Sequence, residues 1–255
     1  MIRIYGATDR GCVRTTNQDA FTYKIIDEET AFAVVCDGMG GEKGGHIASA
    51  RAVEVISMAL TRSLNAQTPV SSIKSMLIAA ISAANAVIYE TAQADPELKG
   101  MGTTVVALVI REDTLCLAHA GDSRAYQFAE RALCAHRLTH DHSVVQLLLD
   151  NGEITEREAR VHPKRNYITR ALGVERNIDV EYYEQYFRVG RLLLCSDGLY
   201  NYAPPDDHLD LITSCVSEQD LWLLIDEANK AGGPDNITAV IVVKETKPRR
   251  AGGKT

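Results

Sequence analysis

The sequence is poor in the residues and patterns that mark disordered, exported or thiol-based proteins. Only 7 of its 255 residues are proline, and 45% are hydrophobic against 24% charged. This composition excludes a mainly disordered or collagen-like chain. The six cysteines form no Cys-x-x-Cys pair and several lie inside apolar runs. We therefore expect buried, reduced thiols in a cytoplasmic protein rather than a thiol-bound metal or a redox site.

Long apolar segments are also missing. Residues 1–6 lack the basic start and apolar stretch of a secretory signal. The most apolar stretch, residues 76–89, is interrupted by Ser82 and Asn85 and is shorter than the roughly 18–20 residues that cross a bilayer. We expect no export by that route and no membrane helix.

Basic residues are fewer than acidic ones. The chain has 27 Lys+Arg against 34 Asp+Glu, a net charge of −7. No overall positive field draws it to nucleic acid or to an anionic membrane. The same charge attracts phosphorylated substrates poorly, unless bound cations neutralise some of the carboxylates.

Apolar periodicity predicts helices. Three segments carry apolar residues at helical spacing, namely residues 47–64, 73–88 and 221–228. Ser217 is the expected N-cap of the third helix. Thr155 and Glu158 match a capping box for a short helix that must end before Pro163.

Short apolar runs rich in β-branched residues predict strands. They cover residues 31–36, 103–110, 115–120, 192–195 and 237–243. Because these runs are apolar on both faces, we expect sheets packed together with helices outside. With no repeat or low-complexity segment, residues 1–246 are expected to form a single domain. The basic, Gly-rich residues 247–255 are expected to be a frayed tail.

Three aspartates lie where a strand candidate meets a glycine- or turn-rich step. They are Asp37, Asp197 and Asp235. One such aspartate is usually only a turn residue, but three from distant parts of the chain indicate a site for a hard cation such as Mg²⁺ or Mn²⁺. Gly38 has no Cβ and is a candidate for a backbone carbonyl ligand. Two ions about 3.5–4 Å apart can assist an in-line phosphoryl displacement, so a phosphatase is one natural interpretation.

Eight short motifs in order resemble the metal-dependent serine/threonine protein phosphatases of type 2C. The similar segments are residues 8–14 with 17–20, 37–41, 102–104, 121–124, 139–143, 168–173, 196–199 and 235–238. Each motif alone is weakly specific. Eight of them in the right order over nearly the whole chain are strongly specific. The resemblance implies an α+β fold, a four-layer αββα sandwich in which two antiparallel β-sheets are flanked by helix pairs.

The resemblance also implies roles for the acidic residues. Asp37 matches the carboxylate that bridges two metal ions, and Gly38 matches the backbone carbonyl ligand. Asp197 and Asp235 match the other carboxylates of the binuclear centre. Asp122 matches the aspartate that, with the residue corresponding to Asp197, holds a third, weaker metal in bacterial members. The implied cofactors are two Mn²⁺ or Mg²⁺ ions and, in the bacterial form, a third.

Two further residues match functional positions. Arg14 matches the arginine that grips the substrate phosphate, a task suited to the paired donors of a guanidinium. Asp19 matches an acidic residue near the metal-water network. Outside the family frame, these two residues would be interpreted as a surface ion pair.

The chain departs from the family pattern at two positions. Some members carry Glu where this chain has Gln18, and a neutral amide adds no charge. Some carry His, a proposed general acid, where this chain has Met39, which cannot donate a proton. The proton donor is therefore open between a metal-bound water, our first choice, and His46.

The polar segment of residues 141–172 corresponds to a flap beside the active site that influences substrate choice in this family. We call it the flap segment. His162 and Arg165 are candidate contacts to a phosphopeptide, although a solvated helix and loop would have the same composition.

The expected reaction is direct hydrolysis of phosphoserine and phosphothreonine in proteins, without a phosphoenzyme intermediate. The resemblance implies a bacterial enzyme that opposes a serine/threonine kinase, and we expect a monomer. Two alternatives stay open. One is a phosphoprotein-binding regulatory module without turnover, and the other is a phosphatase of small metabolites.

Overall fold

The computed structural model describes residues 1–129 and 132–245, apart from the side chain of Glu42. Groups of strands and groups of helices follow one another along these ranges. The strands are β1 (Ile2–Asp9), β2 (Asp19–Ile25), β3 (Thr30–Met39), β4 (Gly102–Thr103), β5 (Val105–Arg111), β6 (Thr114–Ala120), β7 (Arg124–Phe128), β8 (His136–Arg137), β9 (Glu181–Tyr186), β10 (Gly190–Cys195) and β11 (Ile237–Lys244). The α-helices are α1 (Gly41–Ser63), α2 (Val70–Ala94), α3 (Val144–Asp150), α4 (Glu156–Val161), α5 (Asp197–Tyr200), α6 (Leu209–Ser214) and α7 (Glu218–Lys230).

The strands form two antiparallel sheets. The first sheet has the order β1-β11-β10-β7-β8, and the second has the order β2-β3-β5-β6-β9 with β4 paired to β3. Aliphatic side chains from both sheets, such as Val35, Leu108, Leu192 and Val240, are buried together between them. This shared core makes the two sheets a sandwich.

Helices cover the outer face of each sheet. The helices α1 and α2 bury Ile56 and Leu77 against Phe32 of the second sheet. The helices α6 and α7 bury Ile212 and Leu224 against the first sheet. The predicted four-layer αββα sandwich is therefore confirmed.

The strands predicted from the sequence are mainly the central ones. All five predicted runs are strands, whereas β1, β2, β7, β8 and β9 were not predicted. Four of these five lie at sheet edges. An edge strand has a neighbouring strand on one side only, and its other side faces solvent. The edge strand β9, with the sequence EYYEQY, is half-exposed or exposed at each position. A search for runs that are apolar on both faces therefore misses such strands.

The helix α2 is longer than its apolar stretch predicted. By length and composition alone it could cross a membrane, but Ile73, Leu77 and Ile88 lie in the core beneath the second sheet. Asn85 lies within the helix and does not interrupt it. Its side chain is buried and makes hydrogen bonds to backbone carbonyls. Its Nδ2 donates to the carbonyls of Glu175 and Arg176, at 3.1 and 3.0 Å. We interpret α2 as a core helix.

The flap segment is anchored at both ends and contains α3 and α4. Short β-bridges join Ser143 to Ile168 and Thr103 to Leu172. The predicted capping box of Thr155 and Glu158 is present at the start of α4. The predicted tail, residues 247–255, and the expected domain boundary at residue 246 lie outside the described residues, so the single domain stays a prediction.

Candidate active site

Acidic residues from both sheets meet at one end of the sandwich. Asp37 lies near the end of β3 and is paired in register with Asp19, the first residue of β2. Asp122 follows β6, Asp197 follows β10, and Asp235 precedes β11. Because the strands are rigid, their ends hold these side chains in fixed relative positions.

These residues surround one cavity of about 430 Å³. Six of the seven predicted site residues line it, namely Arg14, Asp37, Gly38, Asp122, Asp197 and Asp235. The seventh, Asp19, is buried behind the wall with 6% of its surface exposed. The structure thus brings the predicted set together, with Asp19 in the layer beneath.

The cavity holds more negative than positive charge. Desolvation raises the pKa of Asp37 and of Asp197, and repulsion among the neighbouring carboxylates raises them further. Desolvation followed by repulsion from Asp141 raises the pKa of Asp122 to about 7. Among the described residues that line the cavity, Arg14 is the one Arg or Lys. Its Nη2 lies 2.8 Å from Oδ2 of Asp235. Among the described residues, no ion pair joins Asp37, Asp122 or Asp197 to an arginine or lysine.

The donor set fits divalent cations. Desolvation raises the pKa of Asp19 to about 6. The Ser196 hydroxyl donates to Oδ2 of Asp19 at 2.6 Å, but the buried Oδ1 has no hydrogen-bond partner among the described residues. Buried carboxylates cost free energy unless a cation compensates them. Carboxylate and carbonyl oxygens are the ligands that Mg²⁺ and Mn²⁺ prefer, so these residues fit the predicted ions.

Gly38 lies in a space that no side chain can enter. A Cβ built on Gly38 would lie 2.1 Å from the carbonyl oxygen of Gly45 and 2.6 Å from that of Gln18. Its amide donates to the Gln18 carbonyl at 3.1 Å. The close approach of α1 to the end of β3 therefore requires glycine, and it fixes the backbone that was predicted to supply a carbonyl ligand.

Two threonines hold the backbone of Asp37. The Thr103 hydroxyl and the Thr104 amide each donate to the Asp37 carbonyl at 2.9 Å. The Asp37 amide donates to the Thr104 hydroxyl at 2.9 Å, and the Ser123 hydroxyl lies 2.7 Å from that oxygen. Residues 102–104 form one of the motifs that resemble the family, and these tertiary contacts show their role, which is to hold Asp37.

Asn236 holds the loop that carries Arg14. Its Nδ2 donates to the carbonyls of Arg10 and Thr16, both at 2.9 Å. Its Oδ1 accepts from the Gln18 amide at 2.8 Å. Asn236 was quoted only as part of a motif, next to Asp235. A polar residue beside a predicted ligand was the signal available in the sequence.

The flap segment contributes two residues to the cavity wall, and neither was assigned a role from the sequence. Asn166 and Ile168 line the cavity. Arg165 lines a neighbouring cavity of about 600 Å³, which shares Asp122, Asp197 and Asp235 with the first. His162 is half-buried, and its Nδ1 accepts from the Lys164 amide at 3.1 Å.

The two departures from the family pattern lie at the cavity. Gln18 and Met39 both line it, and Nε2 of Gln18 donates to the Gly41 carbonyl at 2.6 Å. The Met39 position therefore offers no proton. His46 is exposed on α1 and is absent from the described residues that line the cavity.

Comparison with known proteins gives a consistent result. The family model described as protein phosphatase 2C matches residues 13–226. The serine/threonine phosphatase stp of Listeria welshimeri is 37% identical over 237 residues, which cover 92% of this chain and 93% of that protein. The protein phosphatase PhpP of Streptococcus pneumoniae is 35% identical over 238 residues, covering 92% of this chain and 94% of that protein.

Solved structures are similar as well. The S. agalactiae serine/threonine phosphatase matches with a TM-score of 0.87 and 33% identity, over 96% of this chain and all of that one. The catalytic domain of the serine/threonine protein phosphatase PstP, in complex with two manganese ions, matches with a TM-score of 0.82 and 32% identity, over 95% of this chain and 97% of that one. The chain therefore belongs to the protein phosphatase 2C family of metal-dependent serine/threonine phosphatases.

Proposed function

We propose that this chain removes phosphate from phosphoserine and phosphothreonine side chains of proteins by direct attack of water. The observation that carries the proposal is the convergence of Asp37, Asp122, Asp197 and Asp235 on one cavity, in which Arg14 is the one arginine among the described lining residues. Such a site would hold cations, which would offset its negative charge towards a phosphate dianion. The phosphate is then the anion that the cations and Arg14 attract together.

Each residue has a separate task in this proposal. Asp37, Asp197 and Asp235 would hold two Mn²⁺ or Mg²⁺ ions, with the Gly38 carbonyl as a further ligand, and Asp122 would hold a third. Bound ions of this type lower the pKa of a coordinated water and stabilise charge on a transferring phosphoryl group. Arg14 orients the phosphate through paired N–H donors. Asp19, bonded to Ser196, keeps one carboxylate oxygen free beneath the site.

No thiol is needed as a nucleophile. Cys36 and Cys195 lie next to the site in sequence, but both are fully buried. Desolvation and neighbouring carboxylates raise the pKa of the Cys36 thiol, so it stays protonated and unreactive at neutral pH. This favours attack by water over a covalent phosphoenzyme.

The physiological setting is part of the same proposal. The substrates are phosphoproteins, and the cognate partner is a serine/threonine kinase whose targets this enzyme dephosphorylates. We propose a cytoplasmic monomer that binds neither membrane nor nucleic acid, with its catalytic domain in residues 1–246. His162 and Arg165 of the flap segment are the proposed contacts to the substrate peptide.

The test is hydrolysis of a phosphothreonine peptide by metal-stripped protein, with and without added Mn²⁺. Asp235→Asn is the site variant, and Asp226→Asn, at an exposed position on α7, is the matched control. We expect Mn²⁺-dependent turnover in the wild type and the control, and a loss of at least about a hundredfold in Asp235→Asn. Sugar and nucleotide monophosphates run in parallel would reveal a metabolite phosphatase by their higher kcat/KM. A folded wild type without turnover on any of them would contradict the proposal and favour a regulatory binding module.

A further inference from the structure

His142 is a buried histidine that the proposed mechanism does not use. It lies near the start of the flap segment, and 7% of its surface is exposed. The His142 amide donates to the carbonyl of Gly121 at 3.0 Å. The Gly121 amide donates to Nδ1 of His142 at 3.1 Å. The two residues are thus joined in both directions, once through backbone alone and once through the imidazole.

Gly121 directly precedes Asp122, the residue proposed to hold the third cation. Gly121 has a φ of +111°, and a Cβ there would lie 2.6 Å from Cγ2 of Thr104. The bend is therefore confined on one side by Thr104 and held on the other by His142. The direction in which the Asp122 carboxylate leaves the backbone depends on this bend.

The opposite edge of the imidazole is also held. Nε2 of His142 lies 3.1 Å from Oε2 of Glu181, and Nη1 of Arg170 is 3.1 Å from the same nitrogen. The ring stacks on His119 at 4.8 Å between centroids. Because Nδ1 accepts from the Gly121 amide, the neutral ring carries its proton on Nε2 and donates it to Glu181. The guanidinium of Arg170 only donates, so it is a close neighbour of Nε2 and not its hydrogen-bond partner. Burial lowers the pKa of His142, which favours this neutral form.

His142 also connects the two ends of the flap segment. Its carbonyl accepts from the Thr169 amide at 2.7 Å, and the neighbouring Val144 amide donates to the Tyr167 carbonyl at 2.8 Å. The residue therefore stands where the start of the segment, its end and the Gly121 bend meet.

We propose that His142 is a positioning residue whose Nδ1 holds the Gly121 amide, and thereby fixes Asp122 for the weaker cation and couples it to the base of the flap segment. The proposal rests on the function proposed above, since it assumes that Asp122 helps to bind a cation. It predicts that the acceptor at Nδ1, and not the bulk of the ring, sets the affinity of that weaker site.

Three substitutions separate the two edges of the ring. His142→Asn keeps an oxygen acceptor near the position of Nδ1 and removes the Nε2 edge. His142→Gln places its amide near the position of Nε2 and leaves no acceptor for Gly121. His142→Leu removes both edges. Asp122→Asn is the reference variant for loss of the weaker site.

Calorimetric titration of the metal-stripped proteins with Mn²⁺ is the first measurement. We expect His142→Gln and His142→Leu to weaken the weaker site by about tenfold or more, as substitutions beside metal ligands commonly do. We expect His142→Asn to stay within about threefold of the wild type, and the tighter sites to be unchanged in all three. Equal weakening in all three variants, no weakening in His142→Gln, or a wild type without a weaker event that Asp122→Asn removes would overturn the proposal.

The second measurement needs no variant. Nitrogen-15 NMR of the wild type should show the tautomer of His142 with its proton on Nε2, and hydrogen exchange should show a protected Gly121 amide. A proton on Nδ1, or rapid exchange at Gly121, would overturn the proposal even if the variants failed to fold. Neither measurement uses turnover, so a failure of the proposed phosphatase activity is recognised separately, in the peptide assay.

Discussion

At the scale of single residues, Asp37 is a residue whose charge binds cations at the expense of stability. Its carboxylate is desolvated and surrounded by other acidic groups, which raise its pKa well above the usual range. The charged form therefore destabilises the metal-free fold. We expect Asp37→Asn to increase the unfolding free energy of the metal-free protein at pH 7.5 by about 1 kcal/mol or more, and therefore to raise its Tm. The same variant should lose the Tm increase caused by Mn²⁺, and with it turnover.

The comparison for Asp37→Asn is Asp226→Asn, measured by thermal unfolding with and without Mn²⁺. Asp226 is exposed on α7. Its substitution should therefore change the unfolding free energy by less than about 0.5 kcal/mol, with or without Mn²⁺, and leave both Tm values close to those of the wild type. A metal-free Asp37→Asn protein less stable than the metal-free wild type would show that repulsion at the site is not the dominant effect.

Arg14 is the residue at which geometry matters more than charge. Its guanidinium is about half exposed, lines the cavity and makes one ion pair, from Nη2 to Asp235. Its other N–H groups are therefore available to bind a phosphate. We expect Arg14→Lys to raise KM for a phosphothreonine peptide about tenfold, because an ammonium cannot make paired N–H contacts to a phosphate. Steady-state kinetics at saturating Mn²⁺ test this, with Arg10→Lys in the same loop as control. An unchanged KM would remove Arg14 from the phosphate site.

At the scale of elements, the contact between β3 and α1 shapes the site. Gly38 and Gly45 face each other, and a Cβ on Gly45 would lie 2.7 Å from the carbonyl carbon and oxygen of Gly38. We expect Gly45→Ala to destabilise the protein by about 1–3 kcal/mol and to weaken Mn²⁺ binding, because Gly38 must shift. Denaturant unfolding and Mn²⁺ titration measure the two effects. Ala50→Ser, at an exposed position on α1, should change neither, and tight Mn²⁺ binding by Gly45→Ala would contradict the coupling.

The elements predicted best from the sequence are those whose residues are fully buried or make only local contacts. Central strands such as β5 and β11 are buried at each position, so their apolar runs are unmistakable. The capping box of α4 was predicted from Thr155 and Glu158 because it is a local contact. The roles of Thr104 and His142 were not predicted, because their hydrogen bonds cross from one element to another. Local chemistry is readable from sequence, whereas contacts between distant segments appear only in the fold.

At the scale of the whole molecule, the sandwich explains how an acidic protein handles phosphate. The chain carries a net charge of −7, and strands of both sheets bring carboxylates to the same end. Bound cations would reverse the sign of the field at this end alone. The remaining acidic surface then keeps other anions away, so phosphate recognition is confined to the cavity.

Stability should depend on Mn²⁺ and pH together. Asp19 and Asp122 have pKa values raised to about 6 and about 7, above those of an unfolded chain. The metal-free folded state therefore holds extra protons below those values, and its stability falls as pH rises through them. His119 acts in the opposite direction, because burial lowers its pKa to about 4 and its contribution is lost as pH falls from the unfolded value towards 4.

The increase in Tm on adding Mn²⁺ separates these effects, since His119 contributes with and without the ion. Protons compete with cations for the same carboxylates, so we expect the increase to be small at pH 5 and to grow up to pH 8. A cation at a hundred times its Kd stabilises by about 2.7 kcal/mol, which thermal unfolding at each pH resolves readily. Asp235→Asn should flatten the pH dependence. An increase equally large at pH 5 and pH 8 in the wild type would mean that Mn²⁺ binds somewhere other than this carboxylate cavity.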